Sequence, residues 1–297
     1  MERQSEKYRT LETSELAEKL GILQRELAKG VHIGIKITYL MKHVVEGKLN
    51  NFEFVVDSRK EFEDSTIIGR PSKEYDLCLH NVFMYSTNTD HLRYLVTQPG
   101  IIDWANRRLE VATNCPEIAP TLHEVIAKNG SAFKFTGIGV LMILENQGDL
   151  QERYQNPSLP EGMELSAISQ EHHIEEVARK WPYADPDCSP EYIRFMKTQI
   201  LNLPNICVQK NGELIAWSLQ QFQGANGNTF VKPEYRGQGL GSLVTAELAK
   251  KVLANGMAAC IEHGQQDEVA IKMHAGVGFK HIQEMKMFYL SSFGYSD

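Results

Sequence analysis

The run Val231-Lys-Pro-Glu-Tyr-Arg-Gly-Gln-Gly-Leu-Gly241 constrains this chain more than any other segment, because three glycines at alternate positions feed directly into a helical pattern. Pro233 ends a β-prone segment, since proline has no N–H to give to a sheet ladder. Gly237, Gly239 and Gly241 carry no Cβ, so their backbone can approach a ligand closely. From Leu240 the apolar residues Leu240, Leu243, Val244, Leu248, Val252 and Leu253 recur at helical spacing. The glycine run therefore opens onto a helix N-terminus, whose unpaired N–H groups and positive dipole end favour an anion. Arg236 adds a fixed cationic donor. The pattern predicts a pyrophosphate cradle made by Arg236, Gly237, Gln238, Gly239, Leu240, Gly241 and Ser242.

Two commoner glycine motifs do not fit. The run lacks the Gly-Lys-Ser/Thr ending of a P-loop. Its G-x-G-x-G spacing is not the G-x-G-x-x-G of a dinucleotide fold, and Ala258-Ala-Cys-Ile261 offers no acidic residue about 20 residues on. The surrounding residues predict strands at Asn205–Val208 and Glu213–Gln220, joined by a tight turn at Lys210-Asn-Gly212. A further strand, Thr229–Val231, enters the loop. After the helix come a strand at Met257–His263, a helix from Asp267 to Ala275 with Asp267 as N-cap, and a last strand at Phe288–Leu290.

Arg236-Gly-Gln-Gly-Leu-Gly241, an Arg-x-x-Gly-x-Gly string after a strand, resembles the CoA loop of the GCN5-related N-acetyltransferase superfamily. Within it, Trp217-Ser-Leu219, Pro233-Glu-Tyr-Arg236, the His263 strand, and Glu268 with Lys272-Met273 resemble the glycine N-acyltransferase family. Phe54-Val-Val-Asp57, Ile102-Asp-Trp104 and the Leu165 to Trp181 segment extend the likeness upstream. The resemblance implies an α/β fold with a mixed sheet, built as two acetyltransferase-like domains in tandem, the C-terminal one holding the CoA site. At 297 residues the chain has the length for two cores. Turn-forming residues cluster from Gln147 to Gly162, which predicts one domain over 1–155 and another over 156–297; the resemblance implies that the first is a degenerate copy and the second the catalytic domain.

A net charge of −7 argues against a nucleic-acid partner. Five cysteines, Cys78, Cys115, Cys188, Cys207 and Cys260, form no C-x-x-C pair, so neither a disulfide framework nor a zinc site is expected. His172-His173 reads as a solvated helix face rather than a metal site. No apolar run reaches the ~18 residues of a membrane span. A monomer is expected. The resemblance implies the mitochondrial matrix, whereas the acidic residues within Met1 to Lys29 are unlike a transit peptide and leave the cytoplasm open.

The chemistry implied by the resemblance is direct transfer of an acyl group from a CoA thioester to the amine of glycine or another small amino acid, with acyl-CoA as co-substrate and no metal. A different amine, such as a polyamine or a protein N-terminus, and a CoA-binding protein without turnover are the alternatives. Backbone groups of Phe230 and Val231 would take the pantetheine arm. An amine must be neutral to attack, so the site needs a proton acceptor. The family's glutamate on the strand before the loop falls here on Ala225. Glu262 and His263, on opposite faces of the next strand, are the replacements, with His263 ranked first because an imidazole ordinarily titrates near neutral pH. His274 is the candidate acid for the departing thiolate, and Trp217 and Tyr235 are read as packing residues.

Overall fold

The computed structural model describes residues 8–30, 34–59, 65–72, 80–106, 108–155, 157–181, 188–264 and 267–291. Cys78 lies outside them. The architecture is mixed α/β in two compact units: residues to Ile138 together with those from Met285, and Gly139–Glu284. The sequence reading set one division at 155, but the chain passes between units twice. It crosses first inside the strand Phe135–Leu144 and again inside the strand Lys280–Ser291. No helix among the described residues is long and apolar enough to cross a membrane.

The first unit runs β1 (Tyr8–Thr10), α1 (Thr13–Ala28), α2 (Ile35–Val45), β2 (Phe52–Asp57), β3 (Thr66–Pro71), β4 (His80–Ser86), α3 (Thr89–Val96), β5 (Leu109–Thr113) and α4 (Ala119–Lys128). Strands β1 to β4 pair antiparallel in sequence order, and β4 pairs parallel with β5. Leu92 and Leu95 of α3 and Leu122 and Ile126 of α4 are fully buried in one cluster with Val82 and Val111. Each such side chain contributes roughly 1.5–3 kcal/mol.

A polar clamp joins β2, β3 and α3. The buried Asp57 carboxylate accepts from Arg59 Nε at 3.0 Å and Nη2 at 2.7 Å, and from its backbone N–H at 2.8 Å. His91 Nε2 lies 2.8 Å from the second oxygen of Asp57. Burial alone would raise the Asp57 pKa, yet the bonds from Arg59 and His91 outweigh it and hold the carboxyl far below the usual range. His91 Nδ1 meets Ser65 Oγ at 2.7 Å and Thr66 Oγ1 at 3.1 Å. That order is the order of a hydrolase triad, but the ring is 5% exposed and its nitrogen is shared with a buried threonine, so the network is structural.

The second unit takes β6 (Phe135–Leu144), α5 (Glu152–Gln155), β7 (Met163–Ser166), α6 (Glu171–Lys180), α7 (Pro190–Asn202), β8 (Asn205–Lys210), β9 (Glu213–Gln220), β10 (Ala225–Val231), α8 (Leu240–Ala254), β11 (Ala259–Gly264), α9 (Glu268–Val277) and the start of β12 (Lys280–Ser291). Its sheet order is β6-β11-β10-β9-β8-β7, mixed because β10 and β11 alone run parallel. The turn between β8 and β9 carries positive φ at Asn211 and Gly212, as its sequence predicts. Helix α8 packs across β8, β9 and β10, and α9 packs on α8. Asp267 caps α9 by accepting from Ala270 N–H at 3.0 Å. Gly278 ends it at φ +127, where an added Cβ would sit 2.1 Å from the Asp149 carbonyl oxygen. Beyond it the end of β12 returns to the first unit and pairs with β5, Phe288 with Thr113 and Ser291 with Glu110.

Removing the Asp57 carboxylate strands the buried part of this clamp. Asp57→Ala is expected to destabilise the first unit by about 3–5 kcal/mol, read as a drop in the urea midpoint. A loss below about 1 kcal/mol would remove the clamp from the account.

Candidate active site

Strands β10 and β11 form the site by separating. They pair through Ala225 with Cys260 and Asn226 with Ile261, and no further among the described residues. Next to this point the β10–β9 ladder breaks between Gly227 and Phe230, and Asn228 adopts φ +49. A bulge of this kind bends a strand and turns it out of the sheet plane. Ser218 Oγ meets Thr229 Oγ1 at 2.8 Å, and the Phe230 ring stacks on the fully buried Trp217 ring with centroids 4.6 Å apart. These contacts hold the bulge to β9 while the edge facing β11 stays open.

The opening is a cleft of about 680 Å³, with the glycine loop at one end and the apex of the two strands at the other. Gly237 and Gly239 both take φ +77, a conformation costly for any residue with a Cβ, and an added Cβ at either meets nothing within 4 Å. The first rung of α8 is Leu243 N–H to the Gly239 carbonyl. Among the described residues, the amides of 237 to 242 donate to no protein acceptor. They form a row at a helix N-terminus, which suits an anion. Arg236 Nε donates to the Val231 carbonyl at 3.1 Å, and this fixes an exposed guanidinium beside that row.

Phe230, Val231, Arg236, Gly237, Gly239, Leu240, Gly241, Ser242, Glu262, His263 and His274 all line the cleft. Gln238 does not; it lines a neighbouring hollow of about 450 Å³ with Arg153 and Leu243. Tyr235 joins the lining, with Lys210 Nζ 6.0 Å from its ring centre. His173 is 1% exposed with Nε2 3.0 Å from the Gly212 carbonyl, so this histidine packs rather than facing solvent. The sequence reading passed over Asn226 and Asn228, which also line the cleft. Two asparagines flanking a glycine inside a strand were the available signal, since those residues are poor in regular strands and mark bulges.

Register separates the candidate bases. Because Ala225 pairs with Cys260, Glu262 shares the face of Ala225; because Asn226 pairs with Ile261, His263 shares the face of Asn226. The His263 and His274 rings stand nearly parallel, 6.1 Å apart, and the His274 ring meets Phe279 edge-on. Burial, reinforced by the charge of His263 and opposed by Asp267, pushes the His274 pKa down to about 4. At neutral pH this ring is uncharged, which suits it to hydrogen bonding rather than to delivering a proton from an imidazolium. Among the described residues lining the cleft, Arg236 is the one lysine or arginine, and it lies on the loop rather than at the apex.

The His274 shift makes stability depend on pH. Between about 4 and 6.5 the unfolded chain binds more protons than the folded one, so stability falls as pH drops through that window. The full effect is about 3 kcal/mol at about 1.4 kcal/mol per unit. His274→Gln is expected to flatten the acid limb between pH 6.5 and 4 in urea denaturation, and an unchanged slope would contradict the burial argument.

Comparison with known proteins agrees with the geometry. The FR47-like protein family matches residues 205–288. Bovine glycine N-acyltransferase is 22% identical over 86% of this chain and 91% of its own length, and the human glycine N-acyltransferase is 22% identical over 80% and 83%. A Drosophila protein of solved structure shares the fold at a TM-score of 0.76 and 16% identity, covering 98% of this chain and 99% of its own. A tandem acetyltransferase of this superfamily from the clavulanic acid pathway aligns at 0.52 and 15% identity, covering 98% and 99%. The loop, the parted strands and these relatives together indicate an acyltransferase that shares its fold with tandem GCN5-related N-acetyltransferases and is similar along most of its length to glycine N-acyltransferases.

Proposed function

We propose that this protein transfers an acyl group from a CoA thioester to the amino group of a small amino acid, with glycine the leading acceptor. The observation that carries the reading is the row of unengaged amides at 237 to 242 beside Arg236, continuous with the open edge of β10. The cradle fits a CoA pyrophosphate: two left-handed glycines leave vacant the space a Cβ would fill, and the amides and guanidinium supply the donors. The open edge at Phe230 and Val231 offers backbone groups to the pantetheine amides. These contacts orient the thioester toward the apex.

The acceptor amine must lose a proton to attack, and Glu262 is the group assigned to take it. Its place on the Ala225 face supports this assignment, because the resemblance to glycine N-acyltransferases puts that family's glutamate at Ala225. His263, on the opposite face, then lies on the thioester side. Glycine as acceptor rests on the names of the relatives. Arg236 being the one lysine or arginine among the described lining residues favours a second reading, an amine without a carboxylate.

Thiol release from acetyl- to aromatic acyl-CoAs, with glycine, glutamine, asparagine and polyamines as acceptors, separates these. Glycine-dependent release is the expected result. Release with polyamines alone would transfer the assignment to the second reading, and tight CoA binding with no release would leave a binding protein. Glu262→Gln is expected to lower turnover about 10²–10⁴-fold with acyl-CoA affinity retained, and wild-type turnover would clear Glu262 of the role. Gly239→Val, which forces a β-branched residue to φ +77 and fills the cradle, is expected to weaken CoA binding at least about tenfold while the circular dichroism spectrum is kept.

A further inference from the structure

Asn226 stands at the apex of the cleft, the last residue of β10 to pair with β11. It is 3% exposed, and neither its Oδ1 nor its Nδ2 has a hydrogen-bond partner among the described residues. Each such buried group costs about 1–3 kcal/mol, so an unengaged amide is a feature that folding alone would replace with leucine. On the same face, His263 Nε2 and His274 Nδ1 are also buried without partners. Together with Asn226 they are three hydrogen-bonding groups facing one space.

Distance along the strand identifies what that space receives. From Val231, beside the cradle, to Asn226 is five residues, at most roughly 16 Å at about 3.3 Å per residue and shortened by the bulge at 227 to 230. An extended pantetheine arm running from a pyrophosphate on the loop covers that span, which brings its thioester to the apex. The group there that needs a buried donor is the thioester carbonyl oxygen.

We infer that Asn226 is a catalytic residue of the acyl transfer, its Nδ2 donating to the thioester carbonyl oxygen as that oxygen gains charge. The inference rests on the acyl-CoA reading above. In the step, the amine nitrogen bonds to the carbonyl carbon and the carbonyl π pair moves onto the oxygen held by Asn226. The surplus amine proton passes to Glu262. Collapse of the adduct restores the carbonyl, breaks the C–S bond and releases the CoA thiolate. A preorganised donor in a water-poor site is worth about 10²–10³ in turnover.

The test compares wild type, Asn226→Leu and Asn226→Asp for thiol release, acyl-CoA affinity and thermal midpoint. The expected result is a kcat lower by about 10²–10³-fold in both variants. For Asn226→Leu, acyl-CoA affinity should stay within about threefold of wild type and the thermal midpoint should equal or exceed it, because a stranded amide has been removed. Activity lost in step with stability, or an Asn226→Leu protein that does not fold, would make the amide structural and overturn the inference. Wild-type kcat in either variant would do the same while leaving the acyl-transfer reading intact. A wild-type protein that binds acyl-CoA but releases no thiol with any acceptor would overturn the reading itself.

Discussion

The site exists because β10 leaves β11 after two paired residues. Parallel strands ordinarily continue to exchange backbone hydrogen bonds, and giving them up exposes a row of donors and acceptors that must find another partner. Here the separation is built in. A bulge at 227 to 230 with Asn228 in the left-handed region turns β10 aside, and the Ser218–Thr229 bond and the Trp217–Phe230 stack hold it against β9. The edge so released runs straight into the glycine loop, so the backbone amides of strand, loop and helix N-terminus line one continuous path.

The first unit shows what the same order of elements does without that separation. Its β4 and β5 stay paired over five residues, and no bulge interrupts them. The chain then enters α3 through Asn88, whose side chain accepts from His91 N–H at 3.0 Å and so occupies the helix N-terminus from within. Asp90 adds a negative charge in the first turn, which repels an anion. The clamp around Asp57 fills polar positions with internal bonds. One unit uses its polar groups to close the fold, and the other leaves them free for a ligand.

Local rules explain what the sequence made legible. The glycine loop, α8, the Asn211-Gly212 turn and the Asp267 cap each follow from residues within a few positions of one another. Strand β10 was read from Thr229 because Asn226, Gly227 and Asn228 are poor strand residues, and those three begin the bulge and the parting that open the site. Register was not legible at all. That Glu262 shares a face with Ala225, and His263 with Asn226, follows from pairing across more than thirty residues of sequence. The double crossing at β6 and β12 was hidden for the same reason, since an apolar strand does not announce which sheet will bind it.

Hydrogen exchange with and without a non-hydrolysable acyl-CoA analogue, followed peptide by peptide, tests the central claim most directly. Amides engaged by a ligand exchange more slowly than those facing water. The account predicts slowed exchange across 228–231 and 237–242, and unchanged exchange at Asn88 to His91 in the first unit. Binding of the analogue with 237–242 unaffected would contradict it.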